Sequence, residues 1–225
     1  MTTALDIMTR VAGNLQDPEF VRWTKPEMLK WITEAQTVIA RTPGAFSKTK
    51  VIQLKSGTRQ MLPSDGSSLI TIIRNVEEDG TPLTPVRLVT RSLLDACVPH
   101  WHMQPEYPLV ENYVYDDRVP KEYYVFPPND GEGHLEVVYM GIPADVVDET
   151  QELELDVTFE PAIVSYVIFR AVCKESDYAS GIQNATSYYQ AYMTELSAAL
   201  QARGQVTPNA SLMPNTPVNP NGGTE

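Results

Sequence analysis

Apolar side chains near the amino terminus recur every three or four positions, which predicts an amphipathic helix. In the range 4–16 the stripe consists of Leu5, Met8, Val11 or Ala12, and Leu15. A second helix is expected from Thr24, because the spacing of Thr24 and Glu27 is that of a capping box. Its stripe runs through Met28, Ile32, Ala35 and Ile39, and the proline-glycine pair at 43–44 ends it.

The period then changes to that of short strands, separated by Gly, Pro and Asp turns. Residues 50–55 and 59–62 are predicted to form a hairpin around Ser56-Gly57. Further strands are expected at 113–116, 122–126 and 134–140, the last with Leu135, Val137 and Tyr139 on one face. Between them, Ser92 is expected to cap a short helical turn. The pattern favours a compact antiparallel sheet or a small sandwich.

Helical periodicity returns near residue 158. The range 159–173 is apolar nearly all round, which is typical of a buried helix, and a long amphipathic helix follows from Ile182 to a basic last turn and a capping glycine, Arg203 and Gly204. The expected fold class is therefore α+β. The terminal helices (1–45 and 157–204) would form a helical bundle, the range 46–156 an inserted antiparallel β domain, and 205–225 an extended arm rich in Pro and Asn.

The arm has four prolines, four asparagines and only Glu225 as a charge. Its composition fits a disordered tail or an extended arm held by a partner, with Leu212, Met213 and Val218 as apolar anchors. Two cysteines, Cys97 and Cys173, lie in apolar runs and are interpreted as reduced core thiols, although a disulfide stays open. Reduced thiols are consistent with folding in a cytoplasm, where synthesis is expected. No apolar run is long enough for a membrane span, and no signal peptide is apparent.

Charge is unevenly distributed along the 225 residues. The net charge is −12, and the range 116–160 alone holds 13 acidic and 2 basic residues, net −11. This block is either a solvated face or an acidic surface that DNA passes without binding, and its sign argues against sequence-specific DNA recognition. The candidate patch consists of Asp116, Asp117, Asp145, Asp148 and Glu149.

Candidate chemistry is sparse. His100 and His102 flank Trp101 and suit a metal site, but a third ligand at suitable spacing is missing, so a structural loop anchored by Trp101 is favoured. Asp116 and Asp117 suit acid–base work, or calcium binding together with two acids at 130 and 132. Neighbouring residues of a strand point to opposite faces, however, so the tight turn of a hairpin is favoured. Nucleophile, metalloprotease and nucleotide-binding motifs are missing from the sequence, and we expect no cofactor and no enzyme activity.

Aromatic residues line two of the predicted strands. At two-residue spacing Tyr113 and Tyr115 share one face, and Tyr124 and Phe126 share another. Half of them are expected in the core, and the others either in the core or at a partner surface.

Four segments resemble the head-to-tail adaptor proteins of tailed bacteriophages, closest to the connector or tail-tubular type. They are TPVRLVTRSLLDACVPHW at 84–101, YVYDDRVPKEYYVFPP at 113–128, GIP at 141–143, and the range 159–178. The likeness covers about 23–200. It implies a helical bundle with an inserted β domain, and a virion protein of the neck that has no catalytic residues.

The resemblance also implies partners. Family members form a ring of about twelve subunits between the portal protein and the tail nozzle or hub, with double-stranded DNA passing through non-specifically and a carboxy-terminal arm on the portal. No membrane partner is expected. The alternatives are another neck or tail protein, such as a tail terminator or baseplate adaptor, or a hydrolase that uses Asp116 or His102.

Overall fold

The computed structural model describes residues 2–174 and 179–205. These residues form five α-helices: α1 (Ala4–Leu15), α2 (Lys25–Ala40), α3 (Arg91–Cys97), α4 (Glu160–Lys174) and α5 (Ala179–Gln205). Eight strands lie between α2 and α4: β1 (Ser47–Gln53), β2 (Gly57–Met61), β3 (Gly66–Val76), β4 (Pro82–Pro85), β5 (Arg87–Leu88), β6 (Asn112–Tyr115), β7 (Glu122–Asn129) and β8 (His134–Gly141). The predicted α+β class is confirmed.

The strands form two four-stranded sheets, in the orders β1-β8-β3-β4 and β2-β7-β6-β5. Strand pairs are antiparallel, as expected, except β5 and β6, which run parallel and make the second sheet mixed at this edge. The two sheets share one apolar core. Leu135, Val137 and Tyr139 of β8 are fully buried in it, which confirms the alternation seen in the sequence.

The predicted hairpin between residues 50 and 62 was wrong. β1 pairs with β8 while β2 pairs with β7, so the two strands belong to different sheets. Leu54 is 3% exposed in the core, and its N–H donates to the carbonyl of Gly133 at 2.8 Å. Gly57 has φ +95°, a conformation that favours glycine. The turn signal is therefore real, but the chain uses it to cross between sheets.

The long helices share a second core, to which α1, α2, α4 and α5 all contribute. Eight residues of α4 are buried, as its nearly uniform apolar sequence predicts. The segment between β8 and α4 also adds Val146, Leu153 and Leu155 to this core. The arrangement of the helices as a bundle stays a prediction, and so do the domain boundaries.

Helix caps depart from the sequence expectations at three places. Thr24 is the N-cap of α2, but its hydroxyl donates to the Glu27 carboxylate at 3.3 Å and makes no bond to the backbone. Thr90 rather than Ser92 caps α3, because Thr90 has the extended backbone of an N-cap and its hydroxyl accepts from the N–H of Leu93. Gly204 lies inside α5, which continues to Gln205, so it is not the expected capping glycine.

Both cysteines were expected in the core, and this was wrong. Cys97 on α3 and Cys173 near the end of α4 are exposed. Cys173 lies two positions after the buried Ala171, which places it on the opposite side of α4. Cys97 is the last residue of the two-turn helix α3, in which Leu94 is the buried residue.

Candidate functional site

The outer face of the sheet β2-β7-β6-β5 is covered by residues 90–103, which we call the covering segment. It contains α3 and a single 3₁₀ turn, Trp101–Met103. Its buried residues Leu94 and Trp101 form a small cluster with Val114 of β6, and Tyr124 and Phe126 of β7 pack against it. Tyr113 and Tyr115 pack on the opposite, inner face. The predicted split of the aromatic residues between two faces is therefore confirmed.

Trp101 anchors the covering segment, as the sequence predicted. Its side chain is 2% exposed and its indole N–H donates to Asp95 Oδ1 at 2.9 Å. The imidazole of His102 stacks on the indole with ring centroids 3.5 Å apart, and its Nδ1 lies 2.8 Å from the hydroxyl of Thr58 on β2. Burial, with a smaller effect of the positive charge of Arg91, lowers the pKa of His102.

The metal alternative for His100 and His102 lacks a third ligand. Among the residues that the structure describes, no three His, Cys, Asp or Glu side chains come together in a way that could hold a metal ion. His102 Nδ1 is instead in contact with a hydroxyl. The arrangement of Trp101 and His102 fits a packing role.

Asp116 and Asp117 lie on the turn between β6 and β7, as predicted. The guanidinium of Arg118 donates to both carboxylate oxygens of Asp116, at 2.9 and 2.7 Å. This pairing, with a further bond from the Arg118 N–H, holds the pKa of Asp116 at about 2. A carboxylate held ionised in this way is a poor general base or acid near neutral pH.

Asp145, Asp148 and Glu149 lie on the segment between β8 and α4. Lys25 Nζ donates to Glu149 at 2.6 Å, and Asp148 accepts from Thr150, which lowers the pKa of Asp148. The backbone of this segment also bonds to the start of α1, through Leu5 N–H to the Glu149 carbonyl at 2.8 Å. The expected acids are therefore solvated, although apolar neighbours hold their segment in place.

The candidate acidic patch is thus divided between two places. Asp116 and Asp117 are on the β6–β7 turn, while the other three acids are beside α1 and α2. Among the described residues, we observe no hydrogen bond or ion pair between the two groups of acids.

A further acidic surface was missed in the sequence. Val76 and Gln53 both lie opposite His134, so the β3–β4 and β7–β8 turns meet at one end of the sandwich. Glu106 also lies at this end, since its carboxylate accepts a hydrogen bond from the Ser56 hydroxyl at 2.7 Å. We call this end the acidic tip; its exposed acids are Glu77, Glu78, Asp79, Glu106, Asp130 and Glu132.

An ionic cluster joins the sandwich to the segment before α4. The carboxylate of Asp65 accepts from Lys50 Nζ at 2.9 Å and from Lys48 Nζ at 3.3 Å. It also accepts from the Tyr139 hydroxyl at 3.1 Å. Lys48 forms a second ion pair, with Glu154 at 3.0 Å. These partners, Lys50 foremost, hold the pKa of Asp65 at about 2.

Three expected arm residues, Leu212, Met213 and Val218, lie outside the residues that the structure describes. In the described ranges 2–174 and 179–205, no helix is long and apolar enough to cross a bilayer.

The described residues form packed apolar cores with exposed acidic loops between the elements. Comparison with known families gives the class. The sequence model of the SU10 adaptor protein family matches residues 2–217. Because the match spans nearly the whole chain, this protein belongs to the SU10 adaptor family of phage head-to-tail adaptors.

The family membership confirms the resemblance drawn from the four sequence segments. The family is a structural one and not an enzyme class, and it implies a place in the virion neck and contacts with portal and tail. No curated protein matches the chain.

Proposed function

We propose that the protein is one subunit of a homo-oligomeric ring of about twelve copies, seated between the portal protein and the tail nozzle or hub and lining the DNA exit channel. The observation that carries the proposal is the family match over residues 2–217, which makes the chain a head-to-tail adaptor. Synthesis in the host cytoplasm and later incorporation into the virion neck belong to the same proposal.

The charge distribution supports the passage of DNA. A wall that binds phosphates would release counterions and hold the genome, whereas an acidic wall repels it. Asp117, Asp145 and Asp148 are exposed, and Asp116 and Glu149 are partly neutralised by Arg118 and Lys25. We assign these five acids to the channel or its rim, and add the acidic tip as a second candidate for that position.

The arm at 205–225 is proposed to dock on the portal through Leu212, Met213 and Val218. Two observations support it. The family match continues to residue 217 and so includes Leu212 and Met213, although it stops before Val218. The composition of the arm, with almost no charge and four prolines, suits an extended segment with apolar anchors. The domain division at residues 45/46 and 156/157 is kept in this proposal.

The test is the mass of the purified chain, alone and with its portal protein, combined with electron microscopy of any ring. A ring of about twelve copies bound to the portal is expected. A sixfold ring, or a chain that stays monomeric beside the portal, would contradict the proposal and favour another neck or tail role.

The arm is tested by deleting residues 206–225, which begin directly after α5. We expect the truncated chain to keep its far-ultraviolet circular dichroism and melting temperature but to bind the portal at least tenfold more weakly. The double variant Leu212→Asp with Met213→Asp should behave similarly, and Asn209→Asp, in the same arm, is the matched control. Unchanged portal binding after truncation removes the arm from the proposal.

A further inference from the structure

The outward side of α5 carries no charge over five turns. Between residues 184 and 202 the single charged residue is Glu195, which is half-buried on the flank of the helix. The exposed residues on this side include Gln190, Met193, Ser197 and Ala198. By contrast, charged residues make up 20% of the chain and commonly a quarter or more of a protein surface.

Charge depletion with an exposed Met is a feature of interface cores rather than of a solvated face. Met193 on this side is 44% exposed. The opposite side of α5 is packed, since Tyr192, Leu196 and Ala199 are buried in the helical core. Among the residues that the structure describes, the outward side remains exposed to solvent.

The shape of this side suits another helix. Met193, Ser197 and Gln201 form one row of residues four apart, and Thr194 and Ala198 form the neighbouring row. A shallow groove of about 430 Å³ runs along them. Rows of this spacing, with small side chains at their centre, accept the ridge of a second helix.

The net charge of the chain indicates which protein supplies the second helix. Every copy of this chain carries −12, so two copies repel each other unless they meet where charges are missing. The outward side of α5 allows such a contact because no acid of one copy is forced against an acid of the next. A partner selected by ionic attraction would instead favour complementary charges on this face.

The area of the proposed contact can be compared with that of known interfaces. The stretch 184–202, whose outward side carries no charge, is about 28 Å long, and half the lateral surface of such a cylinder is roughly 500 Å². A standard stable interface takes about 800 Å² from each partner. This stretch alone thus supplies more than half of one side of a subunit contact.

We infer that the outward side of α5, centred on Met193, Thr194, Ser197, Ala198 and Gln201, packs against a helix of a second copy of this chain. The inference rests on the proposed ring, and it adds which surface closes the contact between neighbours. It differs from a docking face for portal or tail, which would link the chain to a different protein.

A photo-crosslinking amino acid, p-benzoylphenylalanine, at position 198 tests the inference in phage particles that incorporate the full-length chain. We expect irradiation to give a covalent dimer of the chain, and mass spectrometry of the linked peptides will locate the partner helix. A link to a different virion protein, or no link in particles that contain the chain, overturns the inference and leaves the proposed function standing. Wild-type particles that lack the chain overturn both.

A pair of variants at the same position separates charge from size. Ala198→Glu places an acid in the proposed contact, and Ala198→Gln is nearly the same size without the charge. We expect the Glu variant to enter particles at least tenfold less than wild type and the Gln variant within about twofold, with both chains melting like wild type. Equal incorporation of the two variants contradicts a charge-free contact.

Discussion

The side chain of Asn75 pairs with the backbone of Val110 as a neighbouring strand would. Asn75 Nδ2 donates to the Val110 carbonyl at 2.7 Å, and Asn75 Oδ1 accepts from the Val110 N–H at 2.8 Å. Asn75 is 1% exposed and Val110 is likewise buried. One amide therefore joins β3 of the first sheet to the segment that leads into β6 of the second.

Asn75→Leu is expected to destabilise the protein by about 2–4 kcal/mol, because it leaves a buried N–H and a buried carbonyl of Val110 without partners. Unfolding in urea, followed by circular dichroism, measures the loss. Asn14→Leu, on the exposed side of α1, is the control and should change stability by less than about 1 kcal/mol. A loss below about 1 kcal/mol for Asn75→Leu would show that the pairing is not a structural bond.

Trp101→Ala is expected to detach the covering segment from the sheet. It removes the largest buried side chain of that cluster, the bond to Asp95 and the stacking on His102, at a cost of about 3–5 kcal/mol. Limited proteolysis should then cut within residues 90–103 before the rest of the chain. Met103→Ala, at a side chain that is 82% exposed, should leave the cleavage pattern unchanged. Wild-type resistance of the Trp101 variant would refute the anchoring role.

Asp65→Asn tests the pH dependence of the ionic cluster. The folded pKa of Asp65 is about 2, below the ordinary value of 3.8, so its pairing stabilises the fold above about pH 4. That contribution, on the order of 1–2 kcal/mol for a carboxylate that is 28% exposed, is lost as the pH falls through 2.

Urea unfolding at several pH values checks this. The wild type should exceed Asp65→Asn in stability at pH 7, and the two should converge near pH 2. Asp117→Asn, on the exposed β6–β7 turn, is the control and should follow the wild type within about 0.5 kcal/mol. Parallel curves for wild type and Asp65→Asn from pH 7 to pH 2 would contradict the expected sign.

Reversing charge at the acidic tip tests whether its sign keeps DNA from binding. The triple variant Glu77→Lys, Asp79→Lys, Glu132→Lys changes the net charge from −12 to −6 and places three ammonium groups at one end of the sandwich. We expect duplex DNA to bind it at least tenfold more tightly than the wild type at low salt, and to dissociate as salt rises. Fluorescence anisotropy with labelled DNA gives the dissociation constant and its dependence on salt concentration. The control is the neutral triple variant Glu77→Gln, Asp79→Asn, Glu132→Gln. Tight binding of DNA by the wild type itself would argue against a DNA-repelling role.

Elements with strong local periodicity were predicted well from the sequence. The alternation of Leu135, Val137 and Tyr139 gives β8, and the nearly uniform apolar run gives α4, because both signals are complete within a few residues. The anchoring of Trp101 and the turn at Asp116 follow from equally local cues.

Features that depend on distant pairing were not predicted. Lys50 and Arg59 belong to different sheets because they pair with β8 and β7, which lie about 87 and 65 residues further along the chain. The acidic tip was hidden for the same reason, because Glu77 and Glu132 become neighbours only through the β3–β8 register. The charge count along the sequence singled out the range 116–160, which contains Glu132 but not Glu77.

The bare outward side of α5 has a consequence for ionic strength. Rings held by ion pairs loosen as salt is added. Copies of this chain each carry a net charge of −12 and are proposed to touch through neutral side chains, so screening of their repulsion by salt strengthens the contact. Within the span from 10 mM to 0.5 M sodium chloride, neighbours should therefore associate more readily as the Debye length shortens. Dilute buffers of low conductivity would be the conditions that keep the subunits apart.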